Sequence, residues 1–116
     1  MDVGSEVTAV QGLVRQGDLL LVPVSGLPDG ARPVGSGRLV LAEGEATGHA
    51  HVVDDARASL YRQRWTSAGT YLRVEGHQPV FLVHEEHDRL PVSPGLYEVR
   101  RQREYAPRGR SRRVSD

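Results

Sequence analysis

The chain has 116 residues, 38% of them apolar, with fifteen arginines balanced by fifteen acidic residues and no cysteine. That length allows one domain with one modest core, and the missing cysteine excludes a disulfide scaffold, a thiolate metal site and a cysteine nucleophile. Lysine, isoleucine and asparagine are absent too, a pattern that GC-rich coding explains without any selection for guanidinium geometry.

The N-terminal stretch lacks a basic segment followed by a long apolar core, so no signal peptide is expected. The longest apolar run, residues 19–24, contains Pro23 and is too short to cross a bilayer. The expectation is a cytoplasmic protein that does not enter membranes. Sixteen valines outnumber twelve leucines, in short stretches bounded by glycine or proline, and this favours strands.

In chain order, strands are predicted over 18–24, 38–43, 49–53, 58–64, 70–74, 79–84 and 96–103. Only the first sixteen residues and the neighbourhood of Glu104 have helical character. Seven short strands with turn signals about every 8 to 12 residues predict an all-β domain, a small barrel or sandwich, over 1–105. Residues 106–116, APRGRSRRVSD, read as a flexible basic tail able to order on a partner. Pro91 and Pro94 are expected to bracket a rigid turn. Leu96 and Val99 then read as core with Tyr97 on the opposite side, which requires a bulge between them. Trp65, beside Arg62 and Arg64, reads as a core or hairpin residue.

Chemistry concentrates in the histidines. Four of five fall in two pairs, His49-Ala50-His51 and His84-Glu85-Glu86-His87. On a strand, positions i and i+2 share a face, so His49 and His51 can reach one point. An i, i+3 spacing in a turn does the same for His84 and His87. Four convergent imidazoles would suit a divalent transition metal: zinc, iron, manganese, nickel or copper. Glu85 and Glu86 are candidate ligands, supports for the histidines or general bases. His77, in the turn 75–79, reads as solvated. HEEH is not the HExxH of zinc proteases, which needs i, i+4 spacing on a helix, and no phosphate-binding glycine loop or GxSxG elbow is present.

The segment GEATGHAHVVDD, residues 44–55, resembles the first metal motif of cupins. Gly44 and the HxH of His49 and His51 match that motif with a spacer one residue short, and Asp55 stands where its glutamate would be. The resemblance implies a small β-barrel with a histidine-lined interior. The second cupin motif has its histidine after a PxG turn, whereas here Pro94-Gly95 follows the histidines. The run from HEEH to SPGLYEVRRQREY is similar to small uncharacterised proteins of bacteria and their phages, a likeness that carries no activity.

Three functions follow as expectations. The first is a barrel whose His49, His51, His84 and His87 bind one metal, for hydrolysis or small-molecule chemistry. The second is metal-independent RNA cleavage, with two histidines as base and acid and with Arg101 and Tyr105, beside Arg100, Arg103 and Tyr97, supplying charge and stacking. The bland alternative for these arginines is the solvated face of a strand. The third is a non-enzymatic module that assembles into a homo-oligomer through strand edges. Charge placement bears on partners: residues 1–97 hold eight arginines and twelve acids, and residues 98–116 hold seven arginines and three acids. The +4 C-terminal end is therefore expected to meet an anionic partner, RNA or the acidic surface of a protein.

Overall fold

The computed structural model describes residues 12–43, 48–63 and 69–101. They form eight strands and no helix: β1 (Val14–Gln16), β2 (Leu19–Pro23), β3 (Ala31–Glu43), β4 (Ala50–Gln63), β5 (Thr70–Val74), β6 (Val80–His84), β7 (His87–Val92) and β8 (Gly95–Arg101). Every pairing is antiparallel, in the order β1-β2-β8-β5-β4-β6-β7, with β3 paired to β4. β1 comes to lie beside β7, so the sheet curls into a nearly closed barrel. Among the described residues no helix is long and apolar enough to cross a membrane.

The long β3–β4 hairpin makes the curl. β4 pairs with β6 at Val52 and Val53, then with β5 from Ala58 to Arg62, both on the side away from β3. Between these stretches the β3 ladder skips three β4 residues, because Gly37 pairs with Asp55 and Ser36 with Ser59. Gly37 sits at φ 85°, a left-handed conformation that glycine adopts at no steric cost. Arg57 anchors the bulge: its guanidinium donates to both carboxylate oxygens of Asp55 and to the carbonyls of Gln78 and Pro79. The bulge reverses which positions face inward, from His51 and Val53 to Ala58 and Leu60. Segments 49–53 and 58–64, expected as separate strands, are therefore one bent strand.

Three other expectations are corrected. Residues 14–16 are a strand and not helical; Gly17-Asp18 makes the two-residue turn that pairs Gln16 with Leu19. His87, expected in a turn, opens a strand that the sequence reading does not contain, β7 (His87–Val92). This strand ends the hydrogen-bonded path, where Pro91 can lack a ladder donor. On β8, Tyr97 faces the core at 4% exposure with Val99 packed inward beside it, while Leu96 is half-buried. No register shift interrupts β8. Tyr97 can be inside because its hydroxyl donates to the Ser93 carbonyl at 2.6 Å.

Leucines and valines of β2, β5, β6 and β7 fill the interior together with Leu39, Val53 and Leu60. Trp65, Tyr105 and the expected tail 106–116 lie outside the described residues. Leu72 is fully buried on β5, between β4 and β8. Leu72→Ala is expected to lower unfolding stability by about 2–5 kcal/mol. Exposed Val34 cut to alanine should change it by less than about 0.5 kcal/mol. Urea melts of the two variants check the difference.

Candidate functional site

Strand alternation carries two histidines into the barrel. On β6, Val80, Leu82 and His84 point inward while Phe81 and Val83 point out. On β4, His51 shares the inner face with Val53. His51 is 2% exposed and His84 8%. His87, the first residue of β7, is exposed, and His49, just before β4, keeps a quarter of its side chain in solvent.

The two sequence pairs meet at one end of the barrel, with His84 in the middle. Its ring centroid lies 4.4 Å from His51, 4.7 Å from His87 and 5.7 Å from His49; His51 and His87 stand 6.2 Å apart. Gly17 leaves room for His87, since a Cβ there would come within 2.8 Å of the His87 Nε2. Beside the cluster an open groove of about 320 Å³ reaches His84, along Val52, Val83 and Glu85.

Hydrogen bonds set the tautomers of the two buried rings. Gln16, 2% exposed, donates its amide nitrogen to the carbonyls of Leu82 and Asp88, each at 3.0 Å. Both amide protons are then used, and Oε1 is left as an acceptor for His51 Nδ1 at 2.8 Å. His51 therefore carries its proton on Nδ1 and a lone pair on Nε2. The nearest carboxylate, Asp18, lies 3.7 Å from that nitrogen and accepts from Arg101 at 3.1 Å. His84 has the opposite arrangement: its Nδ1 accepts the Glu86 N–H at 3.0 Å, which puts the proton of the neutral ring on Nε2.

Burial, then the neighbouring His84, pushes His51 down to about 4; Asp18 only partly opposes them. His51 is thus a neutral imidazole at neutral pH, the form that ligates metals. The acidic turn braces the site from outside. Glu85 accepts the Ala50 N–H at 3.1 Å, a bond that lowers its pKa, and Glu86 stands 3.4 Å from His49 Nδ1.

Among the described residues no three His, Asp or Glu side chains are already disposed to hold a metal ion. Only His51 has its free nitrogen fixed by a buried partner. Arg101, expected as a catalytic cation, is placed at this end of the barrel and is held by Asp18. Asp55, at the cupin glutamate position, is held by Arg57, and His77 is exposed as expected. Tyr105 lies outside the described residues. Neither Gln16 nor Asp18 is among the expected site residues: Gln16 falls in the stretch with helical character, and Asp18 reads only as the first residue of the strand 18–24. Gly-Asp between two short apolar stretches is a hairpin signal that places both at a strand end.

The model of a domain of unknown function, DUF8820, matches residues 15–102, which span Gln16, Asp18, all four clustered histidines and Arg101. The chain belongs to this family. No curated protein and no solved structure matches it.

Two predictions follow from the geometry. Gln16→Leu keeps most of the side-chain volume but removes the partner of His51 Nδ1 and of two carbonyls. It should cost at least about 2 kcal/mol in a urea melt, given about 1–3 kcal/mol per buried unsatisfied group. The second concerns pH. Below pH 6.5 the unfolded chain takes a proton at His51, whereas the folded chain does so only near pH 4. Stability is full above pH 6.5 and falls with pH, by up to about 3 kcal/mol from this residue. His51→Asn keeps a donor for Gln16 and removes the titration, so its stability in chelator should fall less steeply from pH 7 to 4.5. Parallel losses in the two proteins would assign the dependence to other groups.

Proposed function

We propose that this member of the DUF8820 family binds one divalent transition metal through the histidine cluster at the end of its barrel. The observation that carries the proposal is the gathering of four imidazoles from two distant segments around His84, among them a buried His51 whose Nδ1 is held by Gln16. Metal-ligating histidines characteristically donate their second nitrogen to such a partner, which fixes the ring and leaves the other lone pair available. His51 Nε2 is that lone pair. His49, His84 and His87 are the candidates to complete the set. His49 and His87 sit near the surface and can turn, while His84 must give up its bond to the Glu86 N–H.

Imidazole donors without thiolates suit zinc, nickel, copper or iron rather than magnesium or calcium. Glu43, Glu85, Glu86 and Asp88 are exposed around this end and raise the local concentration of cations. His87 is exposed and His49 is partly so, which opens the cluster to solvent. Catalysis is no part of this reading, because a histidine site can equally be structural or sensory.

Metal-independent RNA cleavage has one observation in its favour: His51 and His84 present a lone pair and a proton, respectively, on Nε2. Ring centroids 4.4 Å apart leave no space for a phosphodiester between them, His51 is buried, and Arg101 is engaged by Asp18. Metal binding is therefore the better reading.

Full-length protein purified without a histidine tag, stripped and reloaded, is expected to retain about one equivalent of zinc or nickel after desalting. The double variant His51→Ala, His84→Ala should weaken zinc binding by more than about tenfold. Retention below a tenth of an equivalent of every first-row divalent metal, with no heat or spectral change on titration, would sink the proposal.

A further inference from the structure

The bond between His84 and the Glu86 N–H has a consequence for what metal would do to this fold, and it rests on the metal-binding reading above. A neutral imidazole has one lone pair and one N–H. Here the lone pair is on Nδ1, spent on the Glu86 N–H at 3.0 Å. If a metal takes Nε2, the ring proton moves to Nδ1 and two donors face each other. If it takes Nδ1, the lone pair is consumed directly. Either way the Glu86 N–H loses its acceptor, with no net change in protons on the ring.

That N–H belongs to the two-residue turn joining β6 to β7, where His84 pairs with His87. The same turn is tied to the start of β4 twice: Glu85 accepts the Ala50 N–H, and the Glu86 carboxylate faces His49 Nδ1 at 3.4 Å. His49 is itself a candidate ligand, so occupancy draws on both rings that hold Glu86. We infer that metal binding releases the Glu86 half of this turn while Glu85 stays bonded to the Ala50 N–H, so that this acidic end of the barrel switches conformation with metal occupancy. The site is then a sensor: the ligand His84 is also the latch of the turn, and the turn presents two carboxylates to solvent. The bistable element is the two-residue turn, and the barrel behind it, held by Gln16 and the core, stays as it is.

The test uses full-length ¹⁵N-labelled protein with Zn(II) alone as the probe. Before zinc, the ring ¹⁵N shifts of His84 should report an unprotonated Nδ1. At one equivalent, hydrogen exchange of the Glu86 amide should accelerate at least about tenfold, and that of the Leu72 amide in the core should not change. Stoichiometric zinc binding with unchanged His84 shifts and Glu86 exchange would overturn the latch and leave metal binding standing. Absence of zinc binding would overturn both. His84→Asn separates the two roles of the ring, since the asparagine carbonyl can accept the Glu86 N–H but brings no imidazole. In that variant zinc should bind at least about tenfold more weakly, and Glu86 exchange should stay slow at saturating zinc. Acceleration there as large as in the parent chain would show that another group moves the turn.

Discussion

One carboxamide holds together the closure of the barrel and the chemistry of its end. β1 and β7 lie side by side at the seam, and the Gln16 side chain crosses it, donating to Leu82 of β6 and Asp88 of β7. A buried amide bound at one end only would be a cost to the fold; bound through both N–H groups and its oxygen it becomes a specific clamp. Its third bond reaches His51 and decides which imidazole nitrogen keeps a lone pair. Seam and site are therefore coupled: a sheet closing in another register would leave the two carbonyls without this donor and His51 without a defined tautomer.

Histidine packing follows the same logic at lower cost. His51 and His84 stand where strand alternation would otherwise place valine or leucine, and burial keeps His51 neutral. A charged pair lies just outside, where Arg101 from the end of β8 meets Asp18 from the β1–β2 turn. Arg101, at the end of β8, thus lies at the histidine end of the barrel. Arg101 and Asp18 are one place where the arginines of the C-terminal part meet an acid of the body.

Particular residues show how far the sequence carries. Short valine-rich stretches punctuated by glycine and proline determined an all-β domain, because only a half-buried pleated surface uses that alternation. The HxH and HxxH spacings marked the four histidines that the structure brings together, since each pair is local and i, i+2 on a strand has a definite face. Tyr97 and Leu96 were assigned to the wrong faces because both are apolar, and burial of a tyrosine depends on a hydroxyl acceptor, here Ser93, that pattern alone does not reveal. The bend of β4 was hidden as well: Arg57 can hold a bulge only when Asp55, Gln78 and Pro79 surround it.

The sequence by itself determined the class of fold, the strand segments that carry His51 and His84 and the separation of charge along the chain. Only the tertiary structure decided that two segments more than thirty residues apart share one site, which nitrogen of His51 and of His84 is free, and that Gln16 sets the first of these. The physical reason is that alternation and composition act within a strand. A tautomer is set by the hydrogen-bond partner that lies across the barrel, and that partner is chosen by strand order and register.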